Sequence, residues 1–209
     1  MATELDAVRE RVAALLMDTS YGEWSTDDLD AAIRLALDEL SVSLPPLADT
    51  TVDAVDKQRE YDLSVVDGLV DVIEVWYPYD ADDEDYAKAH PVSFRMLDRL
   101  TLYLECGDDP DAEYDIRIFY STRHTLEGLD SATETTLRGD EKAALVIGAA
   151  GYAAIAKARG LMNQVTIGAD VPRTLQQWGE QRLAECGRRL EALAEVKVAG
   201  TDARVGPWE

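Results

Sequence analysis

Two histidines, two cysteines and 42 carboxylates are the residues from which this chain would have to build catalysis or metal binding. His90 and His124 have no cysteine or second histidine near them in sequence, so a zinc site would need distant residues to converge. Cys106 and Cys186 lie in different segments without ligand spacing and read as reduced, semi-buried thiols of a cytoplasmic product. The densest acidic run is Asp80-Ala81-Asp82-Asp83-Glu84-Asp85-Tyr86. It lacks the mid-loop glycine and closing glutamate of a calcium-binding EF-hand and falls between strands, so Asp80, Asp82, Asp83, Glu84 and Asp85 read as an acidic, solvated surface loop. No Gly-x-Ser-x-Gly elbow, phosphate-cradling loop or dinucleotide fingerprint occurs. Paired carboxylates carry no information in so acidic a chain. His124, beside Arg123 at the exit of the last strand, reads as a surface or packing residue rather than a base. The expectation is a protein that is not an enzyme, with no cofactor and no metal.

The net charge of −22 is unevenly placed: residues 1–136 hold 33 acidic and 10 basic side chains, residues 137–209 hold 9 and 10. Such a surface forfeits counterion release and repels phosphate, which disfavours direct DNA binding. It suits solubility, a halophilic host, DNA mimicry, or a conduit along which DNA slides without sticking. No apolar run reads as long enough to span a bilayer, and Met1 to Asp18 reads as an amphipathic helix rather than a signal peptide.

The elements that must position these residues are legible from periodicity. Leu5, Val8, Val12, Leu15 and Leu16 share one helical face. A second helix opens at Ser25, with Asp28 reaching back as in a capping box and Trp24 and Leu29 spaced as a hydrophobic staple. It continues through Ile33, Ala36, Leu37 and Leu40 to Pro45-Pro46. From about Thr51 to Thr122 the period becomes alternating. Strands are expected at Arg59–Leu63, Leu69–Tyr77 (covered on both faces), Pro91–Leu97, Leu100–Leu104 and Tyr114–Tyr120, with Cys106 to Asp111 as the turn of a hairpin. Residues 123–138 are a polar connection, Leu161 to Ala169 a loop, and Asp170 with Pro172 starts a last helix bearing Leu175, Trp178, Leu183, Cys186, Leu190 and Leu193.

The resulting expectation is an α+β fold: a mainly helical body of about four helices, an inserted small antiparallel β domain, and an extended C-terminal tail. The boundaries are 1–50, 51–122, 123–198 and 199–209. Gly139 to Gly160 is the segment around which the rest is organised, with Asp140 as its expected N-cap and Gly160 as its close. Gly148, Ala149, Ala150, Gly151, Ala153 and Ala154 form a collar with almost no side chains. Two glycines inside a helix cost about 1 kcal/mol each relative to alanine, so close approach of another backbone should compensate, with Tyr152 packing around the contact. Two readings stand: a tightly packed core helix, or one that also meets a neighbouring subunit through Gly148, Gly151 and Tyr152. Trp208, near the end of the sequence, reads as either frayed or docked on a partner.

Trp-Ser-x-x-Asp-Leu-x-x-Ala-Ile-x-x-Ala-Leu-x-x-Leu (Trp24 to Leu40) resembles the opening of head–tail adaptor, or connector, proteins of tailed bacteriophages. The later succession is similar too: Tyr61 to Leu63, Val72-x-x-Val75-Trp76, Ile116-x-Ile118-x-Tyr120 leading to Thr122-x-His124, and Leu145 to Ala154. The likeness covers about residues 3–195 as an order of elements. It implies a homo-oligomeric ring, commonly a dodecamer, in the neck of a virion and assembled in the host cytoplasm. The ring would bind the portal protein above and the next neck or tail-completion protein below. DNA would pass through an acidic lumen without specific binding, no membrane would be involved, and the C-terminal segment with Trp208 would reach a neighbour or the portal. Two other readings are a monomeric acidic binding module, a DNA-mimic inhibitor of a basic protein, and a carboxylate-dependent hydrolase.

Overall fold

The structure, a computed structural model, describes residues 3–80, 90–162 and 170–202, the last seven as helix backbone. The fold is α+β, with the element order α1 (Glu4–Leu15), α2 (Thr26–Ser43), β1 (Leu47–Asp53), β2 (Glu60–Asp62), β3 (Asp71–Tyr79), β4 (Phe94–Met96), β5 (Thr101–Leu104), β6 (Asp115–Ser121), α3 (Gly139–Leu161) and α4 (Asp170–Asp202). The chain divides into two compact units: a helical one before Pro46 and after Arg123, and a β unit over Pro46–Arg123.

In the helical unit, α1 and α2 each open on a reciprocal capping box. Asp6 N–H donates to Thr3 Oγ1 while Thr3 N–H donates to Asp6, and Ser25 pairs with Asp28 in the same way. Leu5, Val8 and Val12 of α1 and Leu29, Ile33 and Leu40 of α2 are buried against α3. Arg9 reaches across from α1 to α2, with two 2.6 Å bonds to the Asp30 carboxylate. The start of α3 departs from expectation. Its N-cap is Arg138 rather than Asp140, because the Glu141 carboxylate accepts from the Arg138 backbone N–H at 2.7 Å. Nor does Gly160 close it, since the helix continues through Leu161. On length and composition α3 is apolar enough to cross a membrane, contrary to the sequence reading; 56% of its apolar window is buried within the fold. The 123–138 connection is anchored by Leu126, Leu129 and Leu137, all buried in the helical core. The final helix runs through residue 199, where an extended tail was expected, to Asp202. Gly200 costs a helix only about 1 kcal/mol, too little to end it alone.

The β unit is two antiparallel three-stranded sheets, β1-β6-β3 and β2-β5-β4, sharing one core of Tyr61, Leu63, Val72, Val75, Tyr77, Leu102, Leu104, Ile116 and Ile118. Three expectations are corrected here. β1 is an additional edge strand, paired from Leu47↔Ser121 to Asp53↔Asp115. β3 is not covered on both faces: Val72, Val75, Tyr77 and Tyr79 are buried, whereas Asp71 and Ile73 are exposed. A bulge between Val72 and Glu74 shifts the phase, so Val72 and Val75 both point inward and the run reads as continuously apolar. Finally, Cys106 to Asp111 does not close a hairpin. β5 pairs with β2 and β4 while β6 pairs with β1 and β3, so the turn carries the chain from one sheet to the other.

Candidate assembly surface

The turn between α1 and α2 is built on one carboxylate. Asp18 is only 8% exposed and accepts from the backbone N–H groups of Gly22, Glu23 and Trp24 at 3.0, 2.8 and 2.9 Å and from Ser20 Oγ at 3.4 Å. The Trp24 backbone bond, with the other donors, holds this carboxyl below its ordinary range. The turn delivers Trp24 onto α3, where the indole Nε1–H donates to Ala153 O at 3.2 Å. Lys157 lies over the same ring, 5.6 Å from its centroid, and its Nζ donates to Glu23 O at 2.6 Å.

Trp24 is shared by two clefts. One, of ≈ 520 Å³, lies between the end of α1 and the start of α4 and is lined by Leu15, Met17, Val171, Leu175 and Trp178. The other, of ≈ 380 Å³, runs between α2 and α3, with small Ala31, Ala32, Ala153 and Ala156 in its lining and Asp28, Leu35, Tyr152 and Lys157 beside them. Around them Met17 is 92% and Leu35 52% exposed, and Val171 and Met162 are also exposed. Exposed bulky apolar side chains beside two apolar clefts make this a candidate interaction surface. Among the described residues, the linings of both clefts are mostly apolar, so what they offer a partner is desolvation and shape.

The residues singled out by sequence fall as follows. Gly148 and Gly151 are buried inside the fold, which corrects the subunit-contact reading. A Cβ on Gly148 would stand 3.1 Å from Cys186 Sγ and 3.2 Å from Ala36 Cβ, and one on Gly151 would stand 2.9 Å from Gly179 O. The close backbone approach is therefore met by the chain's own α4. Tyr152 reaches α2, donating its hydroxyl to Glu39 at 2.9 Å, and also lines the α2–α3 cleft. Burial, reinforced by Glu39, pushes the Tyr152 phenol up to about 12; burial likewise pushes the Cys186 thiol up to about 11. Asp80 is exposed; Asp82, Asp83, Glu84, Asp85 and Trp208 lie outside the described residues. Cys106 and Cys186 are both free thiols.

His124 is a packing residue. Its ring is held between Thr136 Oγ1 and Leu44 O, each at 2.9 Å. His90 is exposed. Among the described residues, no three histidine, cysteine or carboxylate side chains are grouped to hold a metal. In the β unit, Ala54 N–H bonds Tyr114 O and Lys57 N–H bonds Pro110 O, drawing Asp53, Asp56, Asp108, Asp109, Asp111 and Asp115 to one end of the sandwich. The sequence reading missed the Trp24 surface because it took Trp24 as a local staple. The available signal was Met17 and Leu35, large apolar residues off the buried stripes. No family model matches this chain, and no curated protein matches it.

Proposed function

We propose that this chain is a structural protein of the head–tail junction of a tailed bacteriophage, self-assembling into a ring between portal and tail with an acidic bore through which DNA passes. The observation that carries the reading is the order of parts: a helix pair, an inserted antiparallel β unit, then a second helix pair. That is the order implied by the resemblance of residues 3–195 to head–tail adaptors. The uncovered apolar surface around Trp24 supports association with other chains. The net charge of −22 supports passage of DNA without adhesion, since fixed carboxylates repel phosphate.

A monomeric acidic module that captures a basic protein is the second reading, favoured by the carboxylates gathered at one end of the β unit. Sedimentation and negative-stain imaging of the purified chain, alone and with a portal protein, separate the two. Rings or portal-bound assemblies are expected. A persistent monomer indifferent to the portal, yet bound tightly by a basic protein, would remove the first reading and leave the second.

A further inference from the structure

The first strand of the β unit has a partner along a single edge. Thr122 N–H donates to Pro46 O at 2.9 Å and Ala54 N–H to Tyr114 O at 3.2 Å, and between these bonds β1 follows β6 in unbroken register. Antiparallel bonds alternate, so Ala48, Thr50 and Val52 direct their backbone groups to β6. The N–H and C=O groups of Leu47, Asp49, Thr51 and Asp53 point away from the sheet. Among the described residues nothing bonds to this outer row. The other sheet edges are not open in this way. Along β3, Tyr77 N–H donates to His90 O and Val92 N–H to Val75 O, while β2 and β4 are only 3 residues each.

The charges beside this edge decide what can pair with it. Asp53 stands directly opposite Asp115, and like charges at such positions repel. Arg117, opposite Thr51, leans the other way, its Nε 3.0 Å from the Asp49 carboxylate. Asp53 itself makes no hydrogen bond and no ion pair among the described residues. Residues 46–123 hold 20 acidic and 7 basic side chains. A second β1 would bring its own carboxylates against these and be repelled, whereas a cationic strand would be drawn in. On the other face of β1, Ala48, Thr50 and Val52 are half-buried and leave a shallow surface for apolar side chains. We propose that β1 accepts an extended segment of another protein as a further strand of the β1-β6-β3 sheet. That segment carries Lys or Arg at the alternate positions that meet Asp53, with small or β-branched apolar residues between them. Backbone bonds supply the affinity and the alternating side chains the selectivity. The contact does not rest on the ring reading.

The test titrates the full chain with a short labelled peptide of lysine alternating with valine or threonine, followed by fluorescence anisotropy. Two control peptides accompany it: one with glutamate for lysine, and one N-methylated at alternate residues, which keeps the charge and removes strand pairing. The lysine peptide should bind, the glutamate peptide should not, and N-methylation should weaken binding by about tenfold or more. On binding, amide exchange should slow at Leu47, Asp49, Thr51 and Asp53, beside the already slow Ala48, Thr50 and Val52. Thr51→Pro removes an outward N–H that the ladder does not use, and Asp53→Lys reverses the unpaired charge. Each variant should melt like the parent and bind about tenfold more weakly. Equal binding of the N-methylated peptide, or binding without new protection of the outer row, reduces the attraction to net charge and overturns the proposal. So does an outer row already protected in the free chain. Protection at every concentration would mean that the chain's own segment holds the edge, and protection only at high concentration that a second copy does. None of the peptide results bears on the ring reading, which sedimentation judges separately.

Discussion

Gly151 and Gly179 face each other across the α3–α4 crossing, each carbonyl oxygen 2.8–2.9 Å from where the other residue's Cβ would stand. Leu183 and Ile155 close the sides of this contact, at 2.9 and 2.7 Å from the same two positions. Neither neighbour is free to yield, because the nearest atoms include backbone.

Alanine at either position should therefore destabilise by about 1–3 kcal/mol, although alanine favours helix by up to about 1 kcal/mol. Gly160 and Gly187 meet nothing within 4 Å, so Gly160→Ala and Gly187→Ala should be neutral or stabilising. Urea titrations of the four variants check the contrast; equal effects at all four positions would show that the crossing is not tight.

Asp18 makes stability acid-sensitive. Its carboxyl is held below its ordinary value by the backbone N–H groups of the α1–α2 turn, so its contribution is present above about pH 4, the unfolded value, and is lost as pH falls through the lower folded one. Asp18→Asn should lower the melting temperature at neutral pH and reduce its decline between pH 4 and 2. A variant with the parent's acid profile would exclude this role.

In the helical unit the alkaline limb involves Tyr152 and Cys186, both raised by burial and by the neighbouring Glu39, while burial also raises Tyr61 and Tyr77 in the β unit. For groups raised in the folded state, stability is complete below the unfolded values, near 9 for the thiol and 10 for the phenol, and is lost as pH rises through about 11 and about 12. Melting temperature should fall above pH 9, and Tyr152→Phe should flatten the upper part of that fall. At pH 8 Cys186 should react with a thiol reagent far more slowly than the less buried Cys106.

His124 satisfies a carbonyl at the end of α2. A carbonyl only accepts, so Nε2 carries the proton toward Leu44 O and Nδ1 accepts from the Thr136 hydroxyl when the ring is neutral. His124→Phe should cost about 1–3 kcal/mol by removing the donor to Leu44 O, while Thr136 Oγ1 keeps its bond from Thr125 N–H, measured by thermal and urea unfolding. Thr136→Val should cost less, since it spares the bond to Leu44 O.

Local signals carried the helices well. Ser25 with Asp28 three residues on located the start of α2 from residue types alone, and the stripe from Leu29 to Leu40 is the face it buries. What escaped was set by distant partners. β1 keeps its alternate residues only half-buried at a sheet edge, so its apolar contrast is weak. Leu126, Leu129 and Leu137 follow neither a helical nor a strand period because they plug the core from an irregular segment. The collar at Gly148 and Gly151 was visible, but Gly179 was not seen as its counterpart, since nothing near Trp178 in sequence announces which helix it will meet. The Trp24 surface depends on turns that bring α1, α2, α3 and α4 to the same indole.

The 2.9 Å separation between Leu44 O and the His124 ring means that the helical scaffold lets the chain out and takes it back at a single doorway. Everything from Pro46 to Arg123 hangs from that doorway as a cassette. Closing the gap with a few residues, or with a different cassette of similar span, changes loop entropy by only about 0.6 kcal/mol per doubling of length. The scaffold and its cargo can thus diverge at separate rates, and a transplant of one onto a related helical frame need match only two neighbouring backbone positions.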